Sequence, residues 1–253
     1  MNAAAQPSKK LAVTGFQPTG NLHIGNLLGA IRPAVAMQQS HEMIISVGDL
    51  HAITVDYDPK QLRQNSREAL ATLLACGIDT NQTTLFIQSD VPEHSELCWL
   101  LGSITPLGQL QRMTQFKEKR DRVEVIGAGL LNYPILMAAD ILLYKAQAVP
   151  VGDDQKQHLE LARDICDRFN NLFGSTFPMP EPLIPKSAAR VMSLNDPVKK
   201  MSKSVPGSFI SLTDTDKEIT KKIKSAVTDT GETQGNTMSP GVANLFSLLQ
   251  AFA

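Results

Sequence analysis

The sequence predicts an α/β fold: a doubly wound, Rossmann-like parallel sheet with an inserted helical segment and a C-terminal helical region. Three observations carry this expectation. Short, near-continuous apolar runs such as Met43-Ile44-Ile45 suit strands buried on both faces. These runs alternate with helical patterns, and strand–helix alternation implies a parallel sheet whose ligands bind at the carboxyl ends of its strands. The first apolar run, finally, passes through a turn rich in glycine and proline straight into a helical stripe.

The candidate strands are Leu11–Thr14, Met43–Val47, Thr84–Ile87, Ala148–Val151 and Arg190–Leu194. After the first comes the turn with Gly15, Pro18 and Gly20. Ile24, Leu27, Leu28 and Ile31 follow at i, i+3, i+4 and i+7, one face of a helix. A second helix is expected over Leu62–Cys76, with Leu70, Leu73 and Leu74 inward. The third and fourth strands lie about 60 residues apart, more than a simple crossover needs. Residues 89–146 therefore include an insertion: a polar start through His94, an apolar helix over Leu97–Ile104, and a stretch holding Arg112, Lys117, Lys119, Arg120 and Arg122. Glu118, Asp121 and Glu124 interleave with those bases, as on a solvated helix. The next helix follows Pro134, which suits a first-turn position. Asp153, Asp154 and Gln155 open another, whose apolar side is Leu159, Ala162, Ile165, Cys166 and Phe169. Acidic residues in a first turn complement the helix dipole, whatever else they do.

Beyond Gly207 the pattern is helical without strands. Lys217, Lys221 and Lys224 share one face, and a last helix covers Gly241–Phe252. Its Leu245, Phe246, Leu248, Leu249 and Phe252 require partners, from further chain or from another copy. The expected organisation is a Rossmann-like catalytic domain over 1–207, with the insertion at about 89–146 and a loop at 197–207, then the start of a truncated helical domain over 208–253.

Three stretches carry chemistry. In the first, a strand, a glycine turn and a helix start together favour an anion, because free backbone N–H groups and the positive dipole end face it. Gly25 lets a ligand approach the backbone, and His23 can donate to a phosphate oxygen. In the second, Lys200 and Lys203 flank a small-residue loop bracketed by Pro197 and by Pro206-Gly207, and supply mobile point charges. A third stretch, Gly129–Val151, places Tyr133, Met137, Asp140 and Tyr144 on one helical stripe. A carboxylate within Met-Ala-Ala-Asp-Ile-Leu-Leu is costly unless a donor meets it. That donor is either a group of the protein or the N–H of a large flat ligand such as an indole.

Composition bounds the class. At 253 residues, 42% hydrophobic and 19% charged, the chain is globular. Its net charge of −1 neither favours nor excludes a nucleic-acid partner, because a local basic patch suffices. Cys76, Cys98 and Cys166 have no paired spacing, which suggests neither zinc nor a disulfide framework and fits a reducing, cytoplasmic setting. No apolar run is long enough to span a membrane, the N-terminus lacks a signal-peptide core, and residues 1–8 read as a frayed tail.

His23-Ile24-Gly25-Asn26 together with Lys200-Met201-Ser202-Lys203-Ser204 resembles the HIGH and KMSKS signatures of the class I aminoacyl-tRNA synthetases. Asn26 stands where many members have a second histidine; it still donates through its NH₂ but carries no charge. GFQPTGNLHIGN, VGDLHAIT, MTQFKEK, LMAADILLY, VPVGDDQKQH, MSLNDPVKKMSKS and IKSAVTD narrow the resemblance to the bacterial-type tryptophanyl-tRNA synthetases. That resemblance, colinear from residue 11 to about 230, implies formation of tryptophanyl-adenylate from L-tryptophan and ATP, then transfer to tRNA(Trp). It implies that Asp140 accepts the indole N–H, with Met137, His51 and Gly15 beside it, and that Tyr133 and Gln155 hold the ammonium and carboxylate end. It assigns Gln17, Thr19, His23, Gly25, Asn26, Gly152, Asp154, Met201 and Ser202 to ATP, and Lys119, Lys200 and Lys203, with Gln17, to catalysis at the phosphates. It further implies Mg²⁺ carried by ATP rather than by protein side chains, a homodimer joined through the insertion, and a C-terminal region that reads the anticodon. Tyrosyl-tRNA synthetases share the architecture, more distant HxGH nucleotidyltransferases share one motif, and a non-catalytic synthetase-like RNA binder is the alternative from another class.

Overall fold

A computed structural model describes residues 9–18, 20, 22–120, 125–152, 155–183, 191–202, 205–228 and 238–252, without the side chains of 119 and 120. The chain divides into two compact units. The first comprises Met1–Thr19, Ala36–Leu70 and Ile78–Pro185; the second comprises Gly20–Val35, Ala71–Gly77 and Lys186–Ala253.

The first unit is built on a five-stranded sheet of β1 (Lys10–Phe16), β2 (His41–Val47), β3 (Thr83–Ile87), β4 (Ala148–Pro150) and β5 (Glu181–Leu183). All pairs are parallel and the order is β3-β2-β1-β4-β5. The chain steps outward from β1 in one direction and then, through β4, in the other, so the switch point lies between β1 and β4, where doubly wound sheets bind ligands. Ala12, Met43, Ile45 and Val47 are buried to 1% exposure or less, as strands covered on both faces require.

The strands expected around Leu11, Met43, Thr84 and Ala148 are all present. The fifth is elsewhere. Val191–Leu194 forms no strand of the sheet; Met192 makes only an isolated antiparallel bridge to Lys200. The true edge strand, Glu181–Leu183, contains Pro182, whose missing N–H is tolerable at an edge.

The insertion carries α5 (Glu93–Ile104), α6 (Leu107–Arg112) and α7 (Thr114–Arg120), and is followed by α8 (Ala128–Leu142). The last does not begin at Pro134, as expected, but one and a half turns earlier, with Pro134 inside it. Proline there removes one helical hydrogen bond. The cost is offset because Leu130 and the run Tyr133–Leu136 are all buried against the unit's core. The helix α9 (Lys156–Phe173) starts from Gln155 and buries Leu159, Ala162, Ile165 and Cys166 as its periodicity indicates.

Four short helical segments complete the early chain: α1 (Ile24–Asn26), a π-helical turn over Leu27–Ile31, α2 (Arg32–Met37) and α3 (Asp49–Ala52). They are followed by α4 (Pro59–Ala75), in which Leu73 is fully buried but Leu74, expected inward, is 46% exposed. The second unit also holds α10 (Asp216–Lys224) and α11 (Pro240–Phe252). Its core is Ile24, Leu28, Val191, Leu194, Met201, Ile210 and Leu248. Among the described residues no helix is long and apolar enough to cross a membrane.

Candidate active site

A cavity of about 350 Å³ opens at the switch point of the sheet. Its walls are the end of β1 (Val13–Phe16 and Gln17), Ser46 and Gly48 after β2, His51 of α3, Val149 of β4, Gln155, and the Tyr133, Met137 and Asp140 stripe of α8. Gly15 leaves little room for a side chain here, since a Cβ would meet Ser46 Oγ at 3.3 Å. Of the residues expected around tryptophan, Gly15, His51, Tyr133, Met137, Asp140 and Gln155 all line this one cavity, and Gln17 stands at it too.

Asp140 is the electrostatic centre. Its Oδ2 accepts from His51 Nε2 at 2.7 Å. Its Oδ1 accepts from Gln88 Nε2 at 2.6 Å and from His94 Nδ1 at 2.7 Å. Carboxylates only accept, so the facing ring nitrogens must carry the protons. Burial pushes the carboxyl upward, but the hydrogen bonds and charge interactions of His51 and His94 outweigh it, and the group sits below the usual aspartate value. It is therefore ionised although nearly buried. The same environment acts on its neighbours: burial, then the Asp140 charge, pushes Cys98 up to about 11 and, with Glu93 added, Tyr144 up to about 12. Asp140 thus has protein donors, the first of its two sequence readings, and it also lines the cavity.

Gln88 and His94 were not foreseen as parts of the site. Gln88 follows β3 in a 3₁₀ turn and His94 opens α5, both fully buried. The short helix α3 that presents His51 is braced by its first residue, Asp49, which accepts from the Ser89 backbone N–H at 3.0 Å and from Ser89 Oγ at 2.6 Å. Gln115, also unforeseen, joins the wall and accepts from the Tyr133 hydroxyl at 3.2 Å, which also lies 2.8 Å from His158 Nε2. Burial and then Glu118 push Tyr133 up to about 12, so it remains a phenol.

The second unit holds the glycine-turn and lysine motifs. His23 caps α1: its Nδ1 accepts the Gly25 N–H at 3.0 Å, while Asn26 Oδ1 accepts the His23 N–H at 3.1 Å. This reciprocal capping box gives Asn26 a structural task and turns its NH₂ away from the backbone it caps. A Cβ at Gly25 would sit 2.8 Å from His23 Cε1, so any larger residue displaces the His23 ring. The His23 ring packs near Phe209, with centroids 5.8 Å apart, and Lys222 Nζ lies 5.1 Å over the same ring while pairing with Asp214.

In the lysine loop, Ser193 N–H donates to Lys199 O at 2.8 Å and Met201 N–H donates to Val191 O at 3.0 Å. Met201, 4% exposed, anchors this arm in the unit's core, whereas Lys200 is exposed. Ser202 O accepts from Ser208 Oγ at 2.6 Å. Gly152 is exposed on the loop before Gln155. Thr19, Asp154 and Lys203 lie outside the described residues, as does the side chain of Lys119.

The model of the class I tRNA synthetases that handle W and Y matches residues 7–253. The chain belongs to this family. Among curated class I synthetases, the Tryptophan–tRNA ligase of Wolinella succinogenes is 51% identical over 248 residues, covering 96% of this chain and 76% of the relative. Among solved synthetase structures, tryptophanyl-tRNA synthetase from Mycoplasma pneumoniae superposes with a TM-score of 0.86 at 43% identity, over 96% of this chain and 73% of that one. The Campylobacter jejuni enzyme complexed with ADP and tryptophan also gives 0.86, at 39% identity, over 96% and 75%. The parallel sheet with its appended helices is the Rossmann-like fold of this synthetase family.

Proposed function

We propose that this chain is a tryptophan–tRNA ligase. A carboxylate oxygen of L-tryptophan attacks the α-phosphorus of ATP, the bond to the departing pyrophosphate breaks, and tryptophanyl-adenylate forms. A terminal ribose hydroxyl of tRNA(Trp) then takes the acyl group and AMP leaves. The observation that carries the choice of amino acid is Asp140, an ionised carboxylate at an apolar cavity with one acceptor position beyond its three protein donors. A bound indole supplies the missing donor. A ligand without one leaves that position buried and unpaired, which is costly.

The attacking carboxylate is ionised already, so no general base is needed. Catalysis rests on positioning and on stabilising charge at the transferring phosphate. Gln155 and the Tyr133 hydroxyl are assigned to the ammonium and carboxylate end; burial and then Glu118 keep Tyr133 a phenol. Gln17, Thr19, His23, Gly25, Asn26, Gly152, Asp154, Met201 and Ser202 are assigned to ATP, and Lys119, Lys200 and Lys203 to its phosphates. Mg²⁺ enters as part of the substrate, MgATP. Residues 208–253, with exposed Lys217, Lys221 and Lys224 on α10, are assigned to the helical region that meets tRNA. We further assign a homodimer joined through the insertion, supported by Trp99, Leu100 and Leu107, which are 81%, 51% and 58% exposed. The free thiols of Cys76, Cys98 and Cys166 support a cytoplasmic setting.

ATP–pyrophosphate exchange with each of the twenty amino acids tests the reading. Exchange dependent on tryptophan alone is expected; exchange driven by tyrosine in its place would overturn the substrate assignment.

A further inference from the structure

The geometry points to His94 as a positioning residue for tryptophan specificity, acting by committing one oxygen of Asp140 to the protein so that the other serves the ligand. This rests on the reading of Asp140 as the indole acceptor.

The argument is one of counting. A carboxylate oxygen offers about two lone-pair directions. Both of those on Asp140 Oδ1 are taken, by Gln88 Nε2 at 2.6 Å and His94 Nδ1 at 2.7 Å. Oδ2 has one protein donor, His51 Nε2 at 2.7 Å, and so one direction left. Asp140 and His51 line the cavity, whereas Gln88 and His94 lie behind it with no exposed surface. The inward oxygen is thus saturated and the remaining acceptor direction belongs to the oxygen shared with the cavity wall.

Among these donors His94 has the most elaborate support. Its Nε2 meets the Tyr144 hydroxyl at 2.8 Å, so the ring is held at both nitrogens. The Phe86 and Tyr144 rings pack against it, with centroids 5.9 and 5.4 Å away. Nδ1 bears a proton whether the imidazole is neutral or charged, because its partner only accepts; the phenol can then either donate to Nε2 or accept from it. His94 is therefore a donor of fixed direction. Without it, Oδ1 is a half-satisfied buried anion, and the carboxylate gains by rotating its second oxygen inward, away from the ligand.

Substitution by Asn and Gln separates this role from mere packing. An asparagine amide reaches about where Nδ1 stands and can still donate to Asp140; a glutamine amide reaches toward the Tyr144 end. For His94→Gln, pyrophosphate exchange should show KM for tryptophan rising about 10- to 100-fold, the range for a lost hydrogen bond to a charged group. KM for ATP should stay within about twofold, since His94 makes no contact assigned to ATP. His94→Asn should recover most of the loss. Asp140→Asn run alongside separates the two claims. If it leaves KM for tryptophan unchanged, the acceptor reading fails and the positioning role with it. If it raises KM while His94→Gln does not, only the positioning role fails. Equal losses in His94→Asn and His94→Gln, with KM for both substrates and the melting temperature shifting together, would mark His94 as structural and overturn the inference.

Discussion

The two units meet opposite physical demands. In the first, an anion with three protein donors lines a largely apolar cavity, and its neighbours Cys98 and Tyr144 are pushed far from their ordinary values. In the second, Lys200 stands in solvent on an arm whose anchor is the apolar Met201. A neutral N–H is told from other ligands only where water is excluded and the acceptor cannot turn. A polyphosphate, which moves as pyrophosphate departs, needs cations on a segment that can follow it. On the proposed function, a held carboxylate in one unit and an exposed lysine in the other answer to different ligands, and mutations should separate them.

The largest effect is expected at the loop. Lys203→Ala should slow adenylate formation about 10²- to 10³-fold, comparable to loss of one donor to a developing charge, while tryptophan binding stays near wild type. Single-turnover adenylate formation measured beside tryptophan titration checks this, and an unchanged rate removes Lys203 from the mechanism. A smaller effect is expected at the capped turn. In Gly25→Ala the new methyl group displaces the His23 ring, and misplacement of that order should raise KM for ATP about tenfold or more, with KM for tryptophan unaffected. Equal changes in both constants would mean that the capped turn does not serve ATP alone.

The smallest effect is one of pH. The Asp140 carboxyl is lowered on folding, so its contribution to stability is fully present above the unfolded value of about 3.9 and is lost as pH falls from there through the folded value. Melting curves down the acid limb should therefore fall more steeply for the wild type than for Asp140→Asn. Parallel acid limbs would show that the carboxylate is not favoured by its surroundings.

Much of this was legible in sequence, and the failures have physical causes. Four strands were readable because strands covered on both faces are short apolar runs. The fifth was not, since Glu181-Pro182-Leu183 is a three-residue edge strand with no apolar run. The apolar Val191 and Leu194 mimicked a strand because they pack in the second unit's core beneath the lysine loop. Pro134 reads as a helix start because a local rule places proline there; burial of its neighbours overrides the rule. At the site, the demand of Asp140 for donors was evident from a carboxylate in an apolar helix. The identity of those donors was not, because Gln88 and His94 stand 52 and 46 positions upstream with no periodic link to it. The available signal was their place just beyond a strand's carboxyl end, where such sheets gather ligand contacts.

The account turns on Asp140, and one measurement tests it most directly: pyrophosphate exchange of the wild type and Asp140→Ala with tryptophan, tyrosine and phenylalanine, beside their melting temperatures. The wild type should prefer tryptophan strongly. In Asp140→Ala that preference should fall about 10- to 100-fold, because removing the carboxylate removes both the attraction for indole and the penalty on its competitors. KM for ATP should change little and the melting temperature modestly. A large drop in melting temperature with the preference for tryptophan intact would show Asp140 to be a structural anion, and would contradict the account.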